Sequence, residues 1–424
     1  MCCADEDFLF YLDSSGKVTT VGENGSCLKK ETEMPSSEAK KDRDKPKIAL
    51  VLSGGGARGA YQAGYLKGLS EILDDDFPFP VITGVSAGAI NAMALASHRG
   101  TFKEATDDLI KAWQYLKIEE VFQTSFGSLS WSFFRWLWML GTGGLDLGVR
   151  GVFNTKPLFR YLTTHLHPEG IRVNIASGRL SALALSTTSY ATGQTVTFIQ
   201  GEEGIRGWKR SRRLATLSEL GIEHVMASAA LPILFPAIRV ENCFYGDGSI
   251  RQASPLAPAV HLGADRILAI SLRYTPPEQK ALALTTSPMY PPPARILGLM
   301  MHGVFLDALE NDAERLLRIN RTLSMVPGGM LPDRMRRIEL FTSHPSENLG
   351  KMAHELMDHL PRTLRVLLGG LGASKTKGND FVSYILFERP YIDQLIELGR
   401  QDALDNRESL LELFSYKGKT EVED

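Results

Sequence analysis

The sequence predicts an α/β fold: a mostly parallel central sheet with flanking helices, followed by a helical C-terminal extension. Short apolar runs at 48–52, 81–83, 181–186, 195–199 and 266–271 alternate with segments of helical character, the pattern of strands joined by crossover helices. Beyond them, Phe305, Leu309, Leu316 and Ile319 recur near helical spacing over 300–320, as do Leu349, Met352, Leu356, Leu360, Leu364 and Leu367. A chain of 424 residues, 43% hydrophobic and 23% charged, has room for one large domain or two smaller ones with a substantial core.

Taken in order, 7–22 reads as a small hairpin turning at Ser14, Ser15 and Gly16, and the polar run to about residue 45 as a linker. Residues 1–44 are therefore expected to be peripheral. Adjacent Cys2 and Cys3 would anchor the chain if both carried acyl groups, but no recognised lipidation motif surrounds them, and ordinary terminal cysteines are the simpler reading. Residues 45–275 carry the alternating strand and helix pattern and form the expected principal domain. Pro276, Pro277, Pro288, Pro291, Pro292 and Pro293 break up 275–293, which reads as a long connection. The expected third part, 276–424, is this connection and a mainly helical region packed on the principal domain. No internal repeat is apparent.

Composition excludes several classes. Lys plus Arg number 47 against 49 for Asp plus Glu, and a net charge of −2 gives no broad electrostatic attraction to nucleic acid. Cys2, Cys3, Cys27 and Cys243 lack metal-ligand spacing, and so few cysteines suggest a reducing compartment. The acidic start lacks the order of a secretory signal, and no apolar run approaches the roughly 18 residues of a membrane span. The expected location is cytoplasmic, with peripheral membrane contact as the open alternative.

Gly54, Gly56 and Gly59 match G-x-G-x-x-G after a strand and before a helix, so dinucleotide binding is the first reading to weigh. A ribose-holding acid would end the next strand. Here Asp74, Asp75 and Asp76 precede that strand, and no Gly-Lys-Ser/Thr marks a phosphate loop. The strand leads instead into Gly84-Val85-Ser86-Ala87-Gly88, a G-x-S-x-G on a strand-to-helix turn, where a nucleophile elbow belongs. A serine on so tight a turn needs small neighbours, and a helix N-terminus favours developing negative charge. A third piece, Asp247-Gly248-Ser249, lies far downstream, and a lone Asp-Gly is usually a turn.

Together, in this order, Gly54-Gly55-Gly56-Ala57-Arg58-Gly59, Gly84-Val85-Ser86-Ala87-Gly88 and Asp247-Gly248 resemble the bacterial type of the patatin-like phospholipases, over roughly residues 47–272. Phe381 to Leu398 and Asp307 to Asn320 also look like C-terminal elements of bacterial members, with less specificity. The resemblance implies a patatin-like three-layer fold and a lipid acyl hydrolase with a Ser-Asp pair, Ser86 as nucleophile and Asp247 as base. Ser249 departs from the Gly or Ala more frequent in the family, a change small enough for the turn to survive.

On this reading a carbonyl attacked by Ser86 becomes an oxyanion, and the amides of Gly54, Gly55 and Gly56 are placed to receive it. An aspartate with an ordinary pKa near 3.9 is a weak base, so Asp247 must gain basicity from a dry pocket. Gly84 and Gly88 shape the elbow. Arg58, with Gly59, either orients the glycine loop or, for Arg58, meets a lipid phosphate or the surface. No metal or cofactor is required, and no calcium loop is visible. An acyl-enzyme then hydrolyses to release a fatty acid.

Two alternatives stand beside this. A Ser-His-Asp esterase of the α/β-hydrolase type would draw on His344, and a lipid-binding module would keep the fold without turnover. The segment 126–144 holds Trp131, Trp136 and Trp138 with Phe133, Phe134, Leu137 and Leu140, and reads either as a bilayer-contacting or covering element or as a core helix. Lys209, Arg210, Arg212 and Arg213 read as a solvated loop, with anionic head groups as the alternative. The expected partners are an acyl lipid and a peripheral membrane surface. No sequence feature points to a protein partner or activator.

Overall fold

The computed structural model of the protein describes residues 9–12, 18–21, 46–73, 77–121, 153–232, 234–275, 290, 292–326, 335–370 and 379–415. The chain divides into two compact units, 1–45 and 46–424. In the first, β1 (Leu9–Leu12) pairs antiparallel with β2 (Val18–Val21), the hairpin that the sequence predicts there.

In the second, β3 (Ile48–Leu52), β4 (Val81–Val85), β5 (Ala182–Ser189), β6 (Thr195–Gly201), β7 (Trp208–Arg210), β8 (Arg213–Leu217), β9 (Ile238–Val240), β10 (Cys243–Asp247), β11 (Arg266–Ile270) and β12 (Glu339–Ser343) form one sheet. The main order is β12-β11-β3-β4-β5-β6-β8-β7, with β10 on β5 and β9 on β10. The five strands from β12 to β5 run parallel, and the antiparallel pairings gather at the β5 side. Each short apolar run read from the sequence is a strand of this sheet. Their continuous hydrophobicity follows from burial on both faces: along β3, Leu50 and Leu52 enter one core and Ala49 and Val51 the other.

Helices α1 (Gly59–Ile72) and α2 (Ala87–Ser97) follow β3 and β4 directly. Further on lie α3 (Ile222–Ser228), α4 (Pro293–Phe305), α5 (Asp307–Ser324), α6 (Asn379–Ile385) and α7 (Arg389–Asp405). The face of the sheet bearing Leu50 packs under α1 and α2, and Leu309 and Ala313 of α5 pack on the other. This gives helices, sheet and helices in three layers.

Two readings of the C-terminal region change. The expected stretch over 300–320 is two helices, divided at Leu306, and that over 349–367 is broken into Leu349–Glu355, a short 3₁₀ turn and Arg362–Gly370, with Pro361 at the second break. Besides its helices, the region contributes β12, which extends the sheet parallel to β11 in register Arg266 to Glu339. Among the described residues no helix is long and apolar enough to cross a membrane.

Candidate active site

Strand register brings the candidate residues together. One edge of β5 is shared by two strands that approach from opposite directions. β4 runs parallel to it and ends with Val85 opposite Ser186; β10 runs antiparallel and ends with Asp247 opposite Thr187. Ser86, the next residue after β4, therefore meets Asp247 head to head although 161 positions of sequence separate the two motifs. The glycine loop joins them because β3 lies beside β4 and both strands end at the same edge of the sheet.

The elbow is strained as such turns require. Ser86 has φ 55° and ψ −125°, a left-handed backbone that a non-glycine residue adopts only when its surroundings enforce it, at a cost of order 1–3 kcal/mol. Part of that enforcement is close packing: a side chain on Gly88 would collide with the Leu52 carbonyl, and one on Gly84 with the carbonyl of Gly88. Another part is a hydroxyl that the sequence reading missed. The Ser86 amide donates to Ser228 Oγ at 3.0 Å, and Ser228 in turn donates to the Ser186 carbonyl at 2.7 Å. Ser228 is fully buried at the end of α3.

Asp247 is held just as firmly. Its amide donates to the Ala230 carbonyl at 2.9 Å, its own carbonyl accepts from Thr188 Oγ1 at 2.8 Å, and its Oδ1 accepts from the Ser249 amide at 2.9 Å. Residues 228–230 thus grip both halves of the pair. The Asp247 side chain is wholly buried, and this burial pushes its pKa from 3.8 to about 6, against smaller lowering by the hydroxyl of Ser86 and by the amide and hydroxyl of Ser249. Oδ2 and Ser249 Oγ make no hydrogen bond of good geometry, so the hydroxyls act on the carboxylate by proximity. Gly248 packs against the Ser186 carbonyl, and the turn after Asp247 keeps its form with Ser249 in it.

The family model described as patatin-like phospholipase matches residues 50–260, which span the glycine loop, the elbow and Asp247-Gly248. The chain carries a patatin-like phospholipase domain. That family assigns it to the lipid-ester hydrolases. No curated protein matches the chain. Among solved structures, VipD from Legionella pneumophila is similar at 12% identity, over 91% of this chain and 70% of its own, with a TM-score of 0.30. Human GIVD cytosolic phospholipase A2, solved with methyl gamma-linolenyl fluorophosphonate, gives 12%, 88%, 60% and 0.39 for the same four quantities. ExoU from Pseudomonas aeruginosa, solved with SpcU, gives 19%, 55%, 45% and 0.26. The chain spans less than two thirds of the latter two, and at these scores none of the three carries a functional argument.

In the patatin-like domain the glycine loop lies over Ser86. The place where a Cβ on Gly54 would sit is 2.9 Å from Ser86 Cβ and 2.6 Å from Ser249 Oγ, so the loop touches both side chains. Gly55 packs on Leu272, and Gly56 has φ 57° with its α-carbon pressed on the Tyr384 carbonyl. Among the described residues, the amides of Gly54, Gly55 and Gly56 donate no backbone hydrogen bond. Buried amides without acceptors favour an anionic guest. Gly59 packs against Trp113 and Ala87, and its carbonyl accepts from Asn91 Nδ2 at 3.0 Å; Asn91 also holds Gln62 on α1 and Trp113 Nε1. This buried polar network ties the helix behind the glycine loop to the helix behind the elbow.

Burial separates the readings open for Arg58. It is 3% exposed, donates to Ser383 Oγ at 2.8 Å, lies 4.3 Å from the Tyr384 ring centroid and stands 3.7 Å from Asp380. All three partners belong to α6, so Arg58 moors the glycine loop to the C-terminal region and is withdrawn from lipid phosphate and solvent alike. Nothing local in the sequence signals these partners, which lie more than 300 positions away.

A narrow apolar pocket opens at Ser86, lined among others by Ile90, Trp113, Leu116, Leu234 and Phe387. Val121 and Phe153 also line it. Trp131, Phe134, Trp136 and Trp138, the expected lipid contacts, lie outside the described residues. His344 is not brought to the serine: it follows β12, three strand spacings or roughly 14 Å across the sheet from β4, and its Nε2 sits 3.0 Å from Glu310. Lys209, Arg210, Arg212 and Arg213 lie at the turn between β7 and β8, Arg212 with φ 58°.

Proposed function

We propose that the protein hydrolyses fatty-acyl esters of phospholipids or related lipids through an acyl-enzyme, with Ser86 as nucleophile and Asp247 as general base. The observation that carries this reading is the meeting of a strained, buried serine with a wholly buried carboxylate on one edge of β5. A serine hydroxyl attacks an ester only if its proton is taken in the transition state. A carboxylate is a better base the nearer its pKa lies to the working pH, and burial moves Asp247 in that direction. The oxyanion formed on attack would accept from the amides of Gly54, Gly55 and Gly56, and the acyl chain would lie in the apolar pocket. The protonated carboxyl would pass the serine proton to the departing alcohol oxygen, and water, deprotonated by the regenerated carboxylate, would then release the fatty acid and return the proton to Ser86. Peripheral contact with a lipid surface belongs to this proposal.

The test is hydrolysis of a p-nitrophenyl ester and of a phospholipid by wild-type, Ser86→Ala and Asp247→Asn proteins. Equal activity in all three would end the proposal. The pH profile adds a check on the base. Only the ionised carboxylate accepts the proton, so kcat/KM should rise as pH increases through about 6 and level off above it. An acid limb nearer 4 would mean that Asp247 is not the group titrating.

A further inference from the structure

A second concavity lies beside the pair. It is a groove of about 600 Å³ lined by Arg212, Arg213, Arg251 and Arg315. Asp307 is the one acid among the described lining residues, and it is already bonded to Arg273 at 2.6 Å. Arg315 reaches Ser254 at 3.4 Å and Asp312 at 3.5 Å, and Arg251 spends its Nε on the Gly193 carbonyl at 3.0 Å. Asp312 also lies in the field of Arg213, and one acid does not balance both Arg213 and Arg315; the remaining guanidinium donors of the four arginines make no hydrogen bond among the described residues. The positive field extends to His261, whose pKa is lowered first by burial and then by Arg210 and Arg213.

The groove reaches the reacting centre through one residue. Ser249 lines it, yet is only 7% exposed and its hydroxyl has no hydrogen-bond partner. The amide of Ser249 is bonded to Asp247, and its Oγ and Ser86 Cβ both adjoin Gly54. The apolar pocket at Ser86 and the cationic groove share no lining residue. An apolar site that opens at Ser86 and a cationic site that opens at Ser249 thus flank the contact of these two serines with Gly54, a layout suited to an ester that carries a phosphate beside its acyl chain.

We propose that this arginine groove receives the phosphate of the substrate's head group, so that phosphate-bearing acyl lipids are favoured over neutral esters with the same chains. The inference rests on lipid-ester hydrolysis at Ser86 and names its substrate class. Guanidinium groups fit it because they bind phosphate oxygens in a fork of parallel hydrogen bonds.

The experiment compares dihexanoyl phosphatidate with dihexanoylglycerol, both in solution as monomers, for the full chain and for the Arg212→Gln/Arg251→Gln double variant. Wild type should favour the phosphatidate by about tenfold in kcat/KM, the size expected of one charge-assisted contact, with the difference in KM. The double variant should lose that preference while turning over p-nitrophenyl butyrate at the wild-type rate. A wild-type ratio near one, or a ratio unchanged in the double variant, overturns the proposal. Should the double variant also lose p-nitrophenyl butyrate turnover, titration of dihexanoyl phosphatidate into full-length Ser86→Ala decides: saturable binding stronger than that of dihexanoylglycerol supports the groove, and equal binding overturns it. Inorganic phosphate is the third arm. If it alters p-nitrophenyl butyrate turnover through these arginines while the two lipids are hydrolysed equally, the ligand is free phosphate and the head-group assignment falls. Ser86-independent hydrolysis of p-nitrophenyl butyrate would instead sink the underlying reading, and the titration would still report on the groove.

Discussion

Ser86→Ala is expected to reduce ester hydrolysis by about 10⁴-fold or more, the scale seen when the nucleophile of a serine hydrolase is removed, because the acyl-enzyme is proposed to form on that hydroxyl. Asp247→Asn should cost nearly as much, since the amide cannot take the serine proton, yet its effect on stability has the opposite sign. A carboxyl whose pKa is 3.8 when unfolded and about 6 when folded binds its proton more tightly in the folded state. Its presence therefore costs stability as pH rises through that interval, up to roughly 3 kcal/mol once both states are ionised. The asparagine protein lacks this cost. At pH 8 it should melt a few degrees above wild type, and the advantage should shrink as pH falls through about 6 and vanish at about pH 3, below both values. An inactive Asp247→Asn protein that melts below wild type at pH 8 would show that the carboxylate supports the fold, in conflict with a base held ready by desolvation.

Gly56→Ala carries the second large effect. Its left-handed φ of 57° costs a residue with a Cβ about 1 kcal/mol or more, and the added methyl would collide with the Tyr384 carbonyl. Backbone on both sides of that contact leaves no flexible side chain to give way. The loop must shift, and with it the amides assigned to the oxyanion. Loss of one such donor lowers kcat by about 10²–10³-fold, so a comparable fall is expected here, with Ser86 and Asp247 still in place. Measured on a p-nitrophenyl ester, a fall smaller than about tenfold would remove the glycine amides from the proposed mechanism.

Much of this architecture could be read from residues close together in the chain. The strands 48–52, 81–83 and 266–271 were legible because parallel strands buried on both faces are continuously apolar. The elbow and the glycine loop were legible because each pairs a strand end with a helix start and small residues. β12 was hidden: Glu339–Ser343 is short, mostly half-exposed at the sheet edge, and embedded among helical patterns. The break at Leu306 left no mark, since spacing alone does not distinguish one helix from two that meet at an angle. Ser228, Thr188 and Ser383 were illegible for a different reason. Each acts through a hydrogen bond to a residue between 59 and 325 positions away, and serine and threonine without a neighbouring motif have no local signature of that use.

The close seating of α7 on α1 has a consequence for the order in which the protein becomes competent. Gly64 and Gly68 of α1 admit the carbonyls of Ile396 and Arg400, Gly399 admits that of Tyr61, and α6 supplies the counterparts of Arg58. A ribosome that has released residues 46–275 has made every group assigned to chemistry, but not α6, which holds Arg58 and abuts Gly56, nor α7, which seats on α1. Domains begin to fold while synthesis continues. The hydrolase should therefore stay silent during translation and switch on only after residue 405 has emerged. Stalled nascent chains halted before residue 379 should not turn over ester; if they do, the loop organises itself unaided.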